Sequence, residues 1–137
     1  MMAAHRTEAR APDERACIIG AGISGLTAAK ALKDRGIRYD QFELDGDLGG
    51  LWRIDHERSP AYETLHINSS KTNMELADFP IPEDFPEFGH HTDVLAYFEA
   101  YADAFDLRAG ITFNTKVERV VPASDGRWDV TDRKSTR

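Results

Sequence analysis

The chain has 137 residues, enough for one domain with a real core but short for a complete two-nucleotide enzyme. Its 17 basic and 24 acidic side chains leave a formal charge of −7, which argues against nucleic acid or an anionic membrane as main partner, since both need a basic face. A single cysteine, Cys17, allows no internal disulfide and fits a reducing, cytoplasmic compartment, and no apolar stretch approaches the roughly 18 residues of a membrane span.

In chain order, residues 1–15 mix Arg6, Arg10 and Arg15 with Glu8, Asp13 and Glu14 and have no apolar centre. They predict a disordered extension rather than a signal peptide. The apolar run Ala16–Gly20 predicts a buried strand, with Cys17 as a small core residue. Ile23–Arg35 predicts a helix, packed through Leu26, Ala29, Ala31 and Leu32 and stopped by Gly36. Tyr39–Leu44 predicts a second strand, and Asp45–Gly50 is turn chemistry. From about residue 53 to 91 the chain holds four of its six prolines and no sustained period, so an extended loop region with short turns is expected. Val94, Leu95, Phe98, Tyr101, Ala102 and Phe105 recur at helical spacing and predict a helix over Asp93–Phe105 with Thr92 as its N-cap. That aromatic stripe reads as core. Ile111–Val121 alternates like a strand, Asp125-Gly126 marks a turn, and Arg127–Thr131 returns as its partner in a β-hairpin. Asp132–Arg137 is a wholly polar tail, and its abruptness suggests a fragment or a truncated reading frame.

The chemistry concentrates in the six residues GAGISG, Gly20–Gly25, which sit between the first strand and the first helix. Gly20 permits a tight turn, Gly22 lets a pyrophosphate approach the backbone, and Gly25 lets the helix pack closely on the sheet. The helix N-terminus then offers free N–H groups and a partial positive charge to phosphates. Glu43 follows Gly25 by 18 residues, near the roughly 20 expected for a carboxylate that binds a ribose diol. Strand, turn, helix, second strand and acid in register predict an adenine-dinucleotide site on residues 16–131, an α/β Rossmann-like domain. The five histidines show no metal-ligand spacing, and no metal is expected.

Several further stretches follow in a fixed order: GAGISGLTAAKAL (Gly20–Leu32), Glu43 then GGLW (Gly49–Trp52), LHINSSK (Leu65–Lys71), DFPIPEDFPEF (Asp78–Phe88), AYFEAYADAFDL (Ala96–Leu107) and ITFNTKVERV (Ile111–Val120). Together they resemble the amino-terminal FAD domain of the flavin-containing monooxygenases, of the dimethylaniline monooxygenase type. The resemblance implies a two-dinucleotide-binding flavoprotein fold, here incomplete, with FAD at the first site. It implies that Gly20, Gly22 and Gly25 hold the pyrophosphate, that Ser24 also touches the cofactor, and that Glu43 takes the adenosine ribose. Gly50, Leu51 and Trp52 would pack near the flavin. For the glycine pair the plain alternative is a turn, and for Trp52 a core anchor. Asn68 is the residue implied in chemistry, because a carboxamide can donate to a peroxide oxygen without titrating. Its alternative is a loop asparagine bonded to its own backbone. Lys71 reads as structural.

The resemblance further implies that NADPH reduces FAD and that the reduced flavin captures O2 as a C4a-hydroperoxide. One oxygen atom then passes to a nitrogen or sulfur centre of a small nucleophile. The family's second glycine fingerprint, for NADPH, is absent from this chain, and so are its F-x-G-x-x-x-H signature and the later segments that complete the FAD domain. A non-catalytic FAD- or ADP-binding module and a Baeyer–Villiger-type monooxygenase fragment are the alternatives. An incomplete sheet predicts an unpaired edge and exposed apolar surface.

Overall fold

The computed structural model describes residues 14–134. The expected extension therefore lies outside the described residues, except for Glu14 and Arg15, and Arg15 pairs with Asp40 at 2.7 Å. Two sheets organise the chain. The first is parallel, in the order β1 (Ala16–Ile19), β2 (Tyr39–Phe42), β3 (Ile111–Thr112). The second is an antiparallel pair, β4 (Thr115–Pro122) and β5 (Trp128–Lys134). The fold is α/β, with α1 (Ile23–Asp34) crossing over between β1 and β2.

α1 buries Leu26 and Ala29, one helical turn apart, and ends in paired bonds from Gly36 N to Lys33 O and from Ile37 N to Leu32 O. The core joins this face to Ile18, Leu48, Ile67, Phe85, Leu107 and Ile111. Its largest contribution comes from α3 (His91–Ala104), which buries Val94, Tyr97, Phe98, Tyr101 and Ala102, so the aromatic stripe is packing. Phe79 from the proline-rich loop lies against Tyr97, Tyr101 and Phe105 at ring separations of 5.5 to 5.9 Å. Between β2 and α3 the loop region holds a 3-10 turn at Gly50–Trp52 and one short helix, α2 (Lys71–Met74).

Four local expectations change. Cys17 is exposed, not buried, because β1 alternates: Ile18 faces the core while Cys17 and Ile19 face a side that the described residues leave uncovered. The second helix starts at His91 with His90 as its cap; the His90 ring accepts from Thr92 N, and the Asp93 carboxylate returns a bond to His90 N. The single strand expected over Ile111–Val121 is two, broken where Asn114 adopts φ +53°. An asparagine tolerates that conformation, and Asn114 N and Thr115 N bond back to Asp45 O and Glu43 O, which strap the chain across the end of β2. The hairpin's second strand runs on through Asp132, Arg133 and Lys134 instead of stopping at Thr131, since the ladder Lys116↔Arg133 and Thr115↔Lys134 keeps pairing them. Residues 135–137 of the expected tail are outside the described residues.

Within the described residues β1 has one neighbour, β2, so its outer edge is unpaired. Ile19 and Trp128 are about 60% exposed. No helix among these residues is long and apolar enough to cross a membrane.

Candidate functional site

The turn after β1 is held by what glycine lacks. Gly20 sits at φ +99°, which a side chain would make strained. Its carbonyl points inward, and a Cβ on Gly25 would stand 2.1 Å from that oxygen. Gly25 therefore makes room for the carbonyl as well as for helix packing. Gly22 caps α1 with an extended backbone and no side chain, and the first turn of α1 holds no acid. The amino end of this helix is left to whatever anion approaches it. Ser24 lies exposed in that first turn.

Two side chains, one on β2 and one just past its end, reach the turn. Gln41 Nε2 donates to Gly20 O at 2.9 Å, and Glu43 Oε2 accepts from Ala21 N at 2.6 Å. The other Glu43 oxygen accepts from Asp45 N at 2.8 Å, and the residue is 7% exposed. Each carboxylate oxygen keeps a second acceptor site for a hydroxyl. The residues that follow Glu43 in the chain, Leu44, Asp45 and Gly46, line a cavity of about 770 Å³ together with His56, Arg58 and Asn114; Glu43 and the glycine turn do not line it.

The glycine pair closes over the same turn. Gly49 N donates to Ala21 O at 3.0 Å, and a Cβ on Gly50 would stand 3.0 Å from Gly22 Cα. Gly49 itself sits at φ +122° with Leu95 pressed beside it. Leu51 is 62% exposed at this edge, whereas Trp52 is partly buried and packs on the core. The pair is thus both a turn and a close backbone approach, and Trp52 is an anchor.

An ionic cluster, unread in the sequence, fixes this loop. Arg53 donates to Leu48 O at 2.8 Å and to the Glu99 carboxylate on α3, with Asp47 at 3.2 Å. Arg108 binds Asp47 from the far side at 2.5 Å. Burial pushes the Asp47 carboxyl up, but the Leu48 amide and the Arg108 and Arg53 guanidinium groups outweigh it and hold the pKa below the usual carboxylate range. His56 Nε2 lies 3.3 Å from Gly50 O and 3.5 Å from Asp45, which also pairs with Arg58.

Asn68 stands on a different loop. The stretch around it is tied by Ile67 N to Gly89 O, Lys71 N to Glu87 O and His91 N to Leu65 O, each 2.9 Å. The Lys71 ammonium donates to Glu83 O and Phe85 O at 2.9 and 2.8 Å, so this lysine is structural. Asn68 is exposed, and among the described residues its side chain makes no hydrogen bond. It is not the self-bonded loop asparagine of the plain alternative. Gly20, Gly22, Gly25, Glu43 and Gly50 come together; Asn68 shares no hydrogen bond with them. No group of three or more His, Cys, Asp or Glu within metal-binding reach occurs among the described residues. Gln41 and Arg53 went unread: a glutamine inside a short strand and an arginine after a turn look like surface residues until their partners are known.

The flavin-binding monooxygenase-like family matches residues 13–137. Rabbit (Oryctolagus cuniculus) dimethylaniline monooxygenase (N-oxide-forming) 2 is 38% identical over 132 residues, which are 90% of this chain and 25% of that protein. Mouse (Mus musculus) flavin-containing monooxygenase 5 is 41% identical over 125 residues, 85% of this chain and 24% of its own. The chain thus spans about a quarter of the length of these curated relatives. Among solved structures, S-allyl-L-cysteine S-oxygenase from Allium sativum superposes with a TM-score of 0.79 at 26% identity, covering 88% of this chain and 32% of that one. The complex of OTEMO with FAD and NADP gives 0.77 at 26% identity, over 93% of this chain and 24% of that one.

Proposed function

Because this chain belongs to the flavin-binding monooxygenase-like family, we propose that its glycine turn holds the pyrophosphate of FAD and that Glu43 takes the adenosine ribose. The observation that carries this reading is the amino end of α1, which has neither a capping side chain nor an acid and lies beside the buried Glu43 carboxylate. Gly20, Gly22, Ser24 and Gly25 would line the diphosphate. Gly50 and Leu51 would border the cofactor, with Trp52 holding their turn to the core. The donor set fits: uncapped amides for an anion, a carboxylate for a diol, and a turn free of side chains.

Bound FAD would supply the redox chemistry, by which the complete enzyme would use NADPH and O2 to oxygenate a substrate nitrogen or sulfur. The chain's own residues bind, orient and shield. Arg53 and Asp47 keep the glycine pair seated on the turn. Asn68 presents a free carboxamide that can donate and accept without changing charge. The preference for nitrogen over a ketone is supported by identities of 38% and 41% to relatives named as N-oxide-forming.

Titrating the purified chain with FAD should quench flavin fluorescence and saturate at concentrations on the order of micromolar. A flat titration, with ADP equally inert, overturns the binding assignment. The oxygen-transfer reading is tested by putting residues 13–137 in place of the matching segment of the rabbit relative. A flavin-loaded chimera should oxidise an amine or thioether with NADPH, and turnover of a ketone alone would overturn that choice.

A further inference from the structure

Gln41 is a polar residue in an apolar row. It lies on the middle strand, flanked by Ile18 on β1 and Ile111 on β3, and is 1% exposed. Burying a carboxamide is unfavourable unless its bonds are met. Here they are half met: Nε2 donates to Gly20 O, while Oε1 is buried with no partner among the described residues. A leucine or methionine would fill this position without an orphaned oxygen, so packing alone does not account for the choice.

Two residues further on, Glu43 accepts from Ala21 N. The carbonyl of Gly20 and the N–H of Ala21 belong to one peptide unit, which is trans, so the two groups point in opposite directions. A side chain of β2 and one just beyond its end therefore grip a single peptide from both sides. Gly25 completes the arrangement, since a Cβ there would lie 2.1 Å from the Gly20 oxygen and 3.1 Å from Gln41 Nε2.

We propose that Gln41 is a positioning residue for the dinucleotide site: it fixes the Gly20–Ala21 peptide so that Glu43 can share its carboxylate with ligand hydroxyls while the turn keeps its orientation. The inference rests on the FAD reading above. A ribose diol at Glu43 would load the second acceptor site of oxygens that already hold Ala21 N and Asp45 N, and the carbonyl-side grip is the one that the sugar leaves untouched.

The test uses Gln41→Met and Gln41→Glu in the 137-residue chain, both close to the original volume. ADP affinity is measured by calorimetry at about pH 5.5 and about pH 8, a span that brackets a buried carboxyl whose pKa has been raised. Amide hydrogen exchange at Ala21 is followed without ligand. Gln41→Met should weaken ADP binding about tenfold and speed Ala21 exchange by a similar factor, the size expected for one hydrogen bond, with α3 amides unchanged. Gln41→Glu should be weak at the higher pH and recover toward wild type at the lower one, because only the neutral acid can donate to Gly20 O. Wild-type affinity in Gln41→Met, or exchange that rises equally along α3, overturns the inference while leaving the FAD reading intact. If wild type ignores ADP yet Ala21 exchange still responds, the clamp stands and the FAD reading falls.

Discussion

The glycine turn and the Asn68 loop are built in opposite ways. At the turn the backbone is shaped by absent Cβ atoms and gripped by Gln41 on β2 and Glu43 just beyond it, so shape and binding are one property. At the loop the backbone is tied by amide-to-carbonyl bonds and by Lys71 reaching two carbonyls, and the Asn68 side chain is left free. The contrast teaches where stability and chemistry can be separated. A change at the turn should damage both together. A change at the tip of the loop should reach only chemistry.

The comparison is sharpest at Gly25. Gly25→Val would drive a Cβ to 2.1 Å from Gly20 O, a distance no real contact shows, and the obstacle is backbone rather than a flexible side chain. A loss of about 3 kcal/mol is expected, with FAD and ADP binding abolished, as read by thermal melting and titration. A variant that melts within a degree or two of wild type would show that the turn is not gripped as described. Lys71→Met comes next. It frees the Glu83 and Phe85 carbonyls and should cost about 1–2 kcal/mol, given that the site is partly exposed. Its damage should show as faster amide exchange between residues 65 and 71, with exchange at Ala21 unchanged.

The sequence discloses the two regions unequally, and the reason is physical. A glycine turn is legible because few residue types satisfy a positive φ or a contact without a Cβ, so Gly20 and Gly25 state their own requirement. The aromatic stripe of α3 is legible through its helical spacing. Cys17 misleads because a four-residue apolar run does not reveal that only one face of its strand is covered. The break at Asn114 hides inside an alternation that continues on both sides of it. Gln41 bonds to Gly20, and Arg53 and Asp47 reach Glu99 and Arg108, partners far along the chain that no local pattern marks. Glu99 and Arg108, which complete the cluster, lie on elements the sequence does not place beside the glycine pair.

That cluster gives a smaller, pH-dependent test of the turn side. The folded-state pKa of Asp47 lies below its ordinary value, so its contribution to stability is complete above about pH 4 and is lost as pH falls through the folded value. The side chain is more than a third exposed, so solvent screening keeps the effect below about 1 kcal/mol. Melting midpoints between about pH 6 and about pH 3 should fall less steeply in Asp47→Asn than in wild type. Parallel curves would remove Asp47 from the forces that hold the glycine pair.

Asn68→Ala should have the smallest effect on folding. The side chain is exposed and carries no hydrogen bond among the described residues, so the change should stay within about 0.5 kcal/mol of wild type. FAD affinity should also be unchanged, because the residue shares no hydrogen bond with the turn. Any effect must then appear in turnover: in the rabbit chimera, NADPH oxidation should continue while the yield of oxygenated product per NADPH falls. Asn68→Asp sharpens the point, since it keeps the shape but cannot donate when ionised. If both variants couple NADPH to product as the parent chimera does, the free carboxamide is only surface. A stability loss in Asn68→Ala as large as that of Lys71→Met would mean that the loop, like the turn, cannot separate shape from chemistry.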